Sequence, residues 1–376
     1  MERFQKLLED PHKHAKEWKA KTGGKVLGLF SQYFPEEIAY AAGVLPVRIV
    51  SEPDVEGLSQ RYLYGAFCTY SLGVLAQGLK GNYDYLDGIG HAESCMPIRG
   101  AVANWWDQMP TSYQYYVAVP SQMDDPNAIK MLRRELEAYK KDTEKWTGKT
   151  ITDEALDHAI DVYNTNRTLM RQVYELRRLD DPPVTGAEAF AMVLSSQIMD
   201  KEEHNKLLKD AISKLSRRKV PDGSRPRLML LGSEISDTSL VSLIESMGAT
   251  IVIDRLCTGS NYFWNNVVPQ QDRILALTFR YMDKPRSPVK DESFRRRVNE
   301  IVAMAIDYKV EGVIYAIHRF CIPHQQDRPP LEKAFKQRLI PFHEIEYDGT
   351  INEGDFKNRI EAFLGTIRVP EVVTVS

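Results

Sequence analysis

The segment Glu311–Pro323, EGVIYAIHRFCIP, restricts the fold more than any other part of the chain. Val313 to Ile317 is a short apolar run of β-branched and aromatic residues, the composition of a buried strand. It ends in a polar burst carrying His318, Arg319, Cys321 and His324, and the prolines there predict no regular continuation. The N-terminal part reads the same way: a strand at Lys25–Ser31 (KVLGLFS), a short helix at Pro35–Ala42 and a second strand at Leu45–Val50 (LPVRIV). Strand, helix and strand at that spacing imply parallel pairing. Ligands of open parallel sheets sit outside the carboxyl ends of the strands. A thiol at Cys321 is therefore a candidate for chemistry.

The rest of the chain extends this pattern. Residues 1–20 read as one N-terminal helix, and Tyr85–Gly90 and Gln114–Val119 as further strands. From Asp125 to about Arg218 apolar residues recur every three or four positions, which predicts helices throughout. Val220–Arg227 (VPDGSRPR) has the composition of a linker. Beyond it the spacing predicts strands at Leu228–Gly232, Thr250–Asp254 and Ile340–Tyr347. Helices are predicted at Ser239–Met247, Asp272–Tyr281, Ser293–Tyr308, Leu331–Lys336 and Phe356–Leu364. The expected fold is α/β: two lobes with parallel, Rossmann- or flavodoxin-like sheets, residues 1–124 and 220–376, joined by a helical segment at 125–219.

A formal net charge of −3 gives no electrostatic case for nucleic acid or an anionic membrane. No apolar run approaches the roughly 20 residues of a membrane helix, and the charged N-terminus lacks an apolar signal core. A cytoplasmic location is expected. Phosphate-loop, nucleophile-elbow and zinc-protease signatures are missing from the sequence.

Cys68, Cys95, Cys257 and Cys321 contain no C-x-x-C pair. Cys68 precedes a run of helical spacing, and Cys95 repeats the order strand, thiol, proline, helix. Helix starts favour a thiolate. Three thiols converging at the carboxyl edges of parallel sheets could hold an iron–sulfur cluster with one iron left open; the alternative is that each is a small buried hydrophobe. His318, Arg319 and His324 flank Cys321, and His91 and Glu93 precede Cys95. These either serve the chemistry or cap strand ends. Trp105 and Trp106 read as core.

The stretches FPEEIAYAAGVLPVRI, ESCMPIRG, LGSEISDTSLVSLIESMGATIVIDRLCTGSNYF, VEGVIYAIHRFCIPHQQDRPPLEKAF and NRIEAFLG, with Cys68, lie in order along nearly the whole chain. Together they resemble the 2-hydroxyacyl-CoA dehydratase / benzoyl-CoA reductase family, most closely the smaller cluster-bearing subunit of the class I, ATP-dependent reductases. The resemblance implies a [4Fe–4S] cluster on Cys68, Cys95 and Cys321, with Cys257 a pocket-wall or buried residue. It implies a related larger cluster-bearing subunit, an ATP-hydrolysing iron–sulfur activator, and ferredoxin as electron source. The implied activity is single-electron reduction of an aromatic acyl-CoA thioester to a cyclic diene thioester, with His318 or His324 as proton donor. The alternatives are a dehydratase subunit eliminating water from a 2-hydroxyacyl-CoA, or a non-catalytic electron relay.

Overall fold

The computed structural model describes residues 1–218, 225–290, 295–347 and 353–368. Residues 220–224 of the expected linker and the expected start of the helix at Ser293 lie outside them. Eight strands are present among the described residues: β1 (Val26–Leu29), β2 (Leu45–Arg48), β3 (Gly88–Ala92), β4 (Tyr113–Val117), β5 (Arg227–Gly232), β6 (Thr250–Asp254), β7 (Gly312–His318) and β8 (Phe342–Tyr347). They form two four-stranded sheets, ordered β2-β1-β3-β4 and β6-β5-β7-β8. Every pairing is parallel. The fold is thus α/β with parallel sheets, as the sequence pattern predicts.

Both sheets have the same strand order, a correspondence the sequence did not reveal. In each, the chain moves outward from the first strand to the second and then crosses to the other side for the third. The crevice between β1 and β3, and that between β5 and β7, are the switch points at which such sheets bind ligands. β1, β3, β5 and β7 are buried along their full length, as strands covered on both faces must be.

Helices Pro126–Thr147, Asp153–Leu176, Gly186–Ser196 and Lys201–Leu215 fill the segment between the sheets in sequence. Each begins on a side-chain cap from Asp125, Thr152, Thr185 or Asp200, which satisfies backbone N–H groups at the first turn. Packing cuts across the sequence segments. Helix Arg273–Met282 places Ile274, Leu277 and Tyr281 in the core of the first sheet, beside Leu29 and Phe34. Phe4, from the N-terminus, joins the core of the second.

Two expectations are corrected. Residues 1–20 form two helices, Glu2–Glu9 and Lys13–Thr22, because Asp10-Pro11 interrupts the first and the Asp10 carboxylate accepts from the His12 and Lys13 amides. The prolines after Cys321 do not end regular structure: a helix runs from Ile322 to Lys336 with Pro323 in its first turn and Pro329 and Pro330 inside it. A first-turn proline forfeits no hydrogen bond, since that N–H has no intrahelical partner. Trp105 is core, at 2% exposure. No described helix is long and apolar enough to cross a membrane.

Candidate functional site

The two switch points open onto one cavity of about 70 Å³. The turn after β1 contributes Gln32, and the segment after β3 contributes Ser94 and Cys95. From the second sheet come Ser233 and Glu234 after β5, Cys257 after β6, and His318 and Cys321 at the end of β7. Cys68 and His324 complete the group of residues singled out above. The three expected cysteine ligands, Cys257 and both candidate histidines therefore line the same space, whereas Arg319, His91 and Glu93, also weighed above, do not line it.

Three of the cysteines share one local geometry. Cys68 is the N-cap of helix Thr69–Leu79, Cys95 of Met96–Gln108, and Cys321 of Ile322–Lys336. The last two helices carry proline in the first turn. None of the three makes a side-chain capping bond. A helix N-terminus presents unpaired N–H groups and the positive end of the dipole, so the helix end at each of these sulfurs favours its charge, in opposition to burial. Cys257 caps no such helix; it lies in the buried turn between β6 and the short helix Ser260–Phe263.

All four thiols are free. Cys68 is drawn down to about 7, chiefly by a hydrogen bond with the Cys321 thiol, with burial opposing and Ser71 assisting. The same contact pushes Cys321 up, so of the two Cys68 is the sulfur that ionises first. Burial pushes Cys95 up, and pushes Cys257 up to about 12. Among the described residues, no three His, Cys, Asp or Glu side chains are gathered as ligands of a single metal ion. The four cysteines are lining residues of one cavity.

The histidines hold different positions. His318 Nε2 lies 2.8 Å from the Glu234 carbonyl oxygen and must donate to it, so Nδ1 accepts from the Thr69 hydroxyl at 2.8 Å. Its own amide donates to Ser233 Oγ at 3.1 Å. His318 thereby ties the end of β7 to the turn after β5 and to the helix that Cys68 caps. His324 Nδ1 is 3.2 Å from the Tyr315 hydroxyl, which donates to the His324 carbonyl at 2.7 Å. Burial, with Arg297 and His318 adding to it, holds the His324 imidazole well below its ordinary value, hence neutral. His91 is fully buried on β3 and is pushed down to about 3 by burial and the charges of Arg48, Arg99 and Lys290.

Gln32, Tyr70 and Arg48 carry no signal in the sequence, and for Ser233 and Glu234 the sequence offers only Gly-Ser-Glu after a strand, a common pattern. Arg48 Nη2 pairs with the Glu234 carboxylate at 2.9 Å, both largely buried, and Tyr70 bonds to both. The turn before Glu234 depends on Gly232, whose φ is +127° and where a Cβ would overlap the Ala316 carbonyl oxygen. Only glycine lets the chain leave β5 so close to β7. Gly232-Ser-Glu was the available signal for this turn; Gln32 had none beyond its place after a strand.

The chain is similar to known proteins over most of its length. A family profile described as "2-hydroxyglutaryl-CoA dehydratase, D-component" matches residues 31–367. One of the benzoyl-CoA reductase subunits of Thauera aromatica is 28% identical over 340 residues, 89% of this chain and 88% of its own length. The (R)-phenyllactyl-CoA dehydratase beta subunit of Clostridium sporogenes is 25% identical and covers 97% of each chain. The (R)-2-hydroxyglutaryl-CoA dehydratase subunit beta of Acidaminococcus fermentans is also 25% identical, over 96% of this chain and 97% of its own.

Proposed function

The chain belongs to the 2-hydroxyglutaryl-CoA dehydratase D-component family, and from that premise we propose that it is the iron–sulfur subunit of an ATP-dependent benzoyl-CoA reductase complex in the cytoplasm. Cys68, Cys95 and Cys321 would hold a [4Fe–4S] cluster. The observation that carries this reading is the convergence of three helix N-cap cysteines on one cavity.

The residues present fit such a group. Thiolates are its usual ligands, and each sulfur sits where a helix N-terminus favours its charge. Buried amide atoms of Gln32 on the same cavity have no protein partner. Bound there, the cluster would supply single-electron chemistry, with three protein ligands leaving one iron position open.

The protein's own residues do the positioning. His318 fixes the Cys68 helix against the strand that leads to Cys321. The Arg48–Glu234 pair keeps a buried carboxylate compensated beside the thiols. Phe30, Ile98, Pro288, Val289 and Pro323 supply apolar wall, which limits water at the site. The His324 imidazole, held neutral by burial, resists taking up a proton at neutral pH and serves as a hydrogen-bonding group rather than an acid.

The substrate on this reading is an aromatic acyl-CoA, reduced to a cyclic diene thioester. The sequence has no phosphate-binding loop of the Walker type, so ATP would be hydrolysed by a separate iron–sulfur activator, with ferredoxin as electron source. The similar proteins are named as subunits, in keeping with a related, larger cluster-bearing partner. A second reading, a 2-hydroxyacyl-CoA dehydratase subunit, is favoured by the end-to-end match to two dehydratase beta subunits. In either complex this chain could be an electron relay whose partner binds the substrate.

The deciding experiment is anaerobic incubation of the purified complex with benzoyl-CoA or a 2-hydroxyacyl-CoA, reductant and ATP. ATP consumed with every turnover supports the reductase, and ATP needed only to start turnover supports the dehydratase. Metal-free or zinc-loaded protein, isolated anaerobically from its own complex, would overturn the iron–sulfur assignment.

A further inference from the structure

Gln32 stands in the turn after β1, at the β1/β3 switch point, and is 4% exposed. It lines the cysteine cavity, yet neither its Nε2 nor its Oε1 has a protein hydrogen-bond partner. Buried amide atoms without partners are costly and rare in folded proteins. Gln77, just as buried, shows the ordinary solution: its Nε2 donates to Glu52 at 3.0 Å and its Oε1 accepts from Asn82. Ser94, from the other side of the same switch point, also lines this cavity and has a buried hydroxyl without a protein partner.

The turn that presents Gln32 is fixed on both sides. Ser31 Oγ accepts from the Tyr33 amide at 3.2 Å, and the Tyr33 hydroxyl donates to the Pro285 carbonyl at 3.3 Å and accepts from the Ser287 amide at 3.0 Å. The protein thus places a donor and an acceptor firmly at the cavity and supplies neither with a mate. An occupant of the cavity is the remaining candidate.

We propose that the Gln32 side-chain amide hydrogen-bonds the group held by Cys68, Cys95 and Cys321, at a sulfide or at a small ligand on its open iron position, and so raises its reduction potential. This rests on the iron–sulfur reading above. An N–H donor pointed at sulfur stabilises the added electron more than the oxidised state, and such bonds are among the levers that set cluster potentials. Oε1 provides the complementary acceptor for a water or hydroxide at the open position. Gln32 is on this account a positioning and tuning residue, not a ligand.

The test compares wild type with Gln32→Met, close in volume but unable to bond, and Gln32→Glu, which replaces the donor with an acceptor. Iron and sulfide content are measured first, and then the midpoint potential by an EPR-monitored redox titration. Both variants are expected to keep wild-type iron content. The reduced-to-oxidised ratio at a fixed potential should fall about tenfold in Gln32→Met, a shift of about −59 mV for one electron, and further in Gln32→Glu. In the iron-free protein, Gln32→Met should raise Tm, because it removes two unsatisfied buried atoms. Unchanged potentials with iron retained would overturn the inference and leave the cluster reading intact. Loss of iron from both folded variants would overturn it too, by making Gln32 a structural or ligating residue. An iron-free wild type would overturn the cluster reading, and this inference with it.

Discussion

Thr69 Oγ1 lies 2.8 Å from His318 Nδ1, a bond between residues 249 positions apart. It connects the residue after Cys68 to the strand end just before Cys321. With its other nitrogen bonded to the Glu234 carbonyl at 2.8 Å, His318 acts as a bracket between the two sheets.

This bracket makes a specific demand on mutants. His318→Ala leaves the Thr69 hydroxyl and the Glu234 carbonyl without their mate, and should cost about 1–3 kcal/mol in urea unfolding, with iron bound less tightly. Thr69→Val, which removes one bond only, should cost less. His324→Ala should retain iron, and His324 itself should show no NMR titration between about pH 6 and 8, since burial holds it neutral throughout that range. A titrating His324 would restore it as a candidate proton donor.

The cysteines should divide three to one. Cys68→Ala, Cys95→Ala and Cys321→Ala each remove a sulfur from a helix N-terminus, and each should abolish or degrade iron binding in anaerobically prepared protein. Cys257→Ala, in a turn without such a helix, should leave iron content near wild type. Equal loss in all four would indicate a four-thiolate site and favour the relay reading.

Gly232→Ala should be among the most damaging single-methyl changes in the protein. The added Cβ would overlap the Ala316 carbonyl oxygen, at a φ of +127° that side chains rarely tolerate. Relief requires β5 to move from β7, so a loss of about 3 kcal/mol or more is expected in denaturant titration. A midpoint close to wild type would show that the turn is not held as tightly as described.

Acid should weaken the packing of helix Glu36–Ala41 through Glu37. Burial favours the neutral carboxyl, but the Arg167 and Arg280 charges outweigh it and hold Glu37 at about 2, against an ordinary 4.5. A group depressed in the folded state contributes stability that is complete above its unfolded value and is lost as pH falls toward its folded one. The window is therefore from pH 4.5 down to about 2, and the contribution is about 3 kcal/mol at 1.4 kcal/mol per pK unit. Urea midpoints of iron-free protein should fall across that window in wild type and fall less in Glu37→Gln, which should already be weaker at neutral pH because Arg167 loses its counter-ion.

The parallel sheets were legible because buried strands of β-branched residues alternate with helix-period segments, a pattern set by local chemistry. Cys68 and Cys95 could be marked as helix-start thiols for the same reason, and Cys321 as a thiol at a strand end. That these three line one cavity depends on how two sheets separated by four helices are brought together, which no local pattern encodes. Gln32 was invisible because a glutamine after a strand is ordinary; only its lack of partners in the folded chain sets it apart. Of the helix after Cys321 only the end, Leu331–Lys336, was read; its first turns were missed because proline was taken as a terminator, whereas in a first turn it is an initiator.

The repeated strand order has a mechanical consequence. Cys68 and Cys95 belong to the first sheet and Cys321 to the second, so a group bound to all three would work as a clasp between two similar half-molecules. It would close a loop of more than 200 residues between Cys95 and Cys321. A covalent cross-link over a loop of that length restricts the unfolded chain by about 5 kcal/mol. Assembly of the cofactor and closure of the two halves would then be one event, and a chain stripped of the group would lose its fastening along with its chemistry.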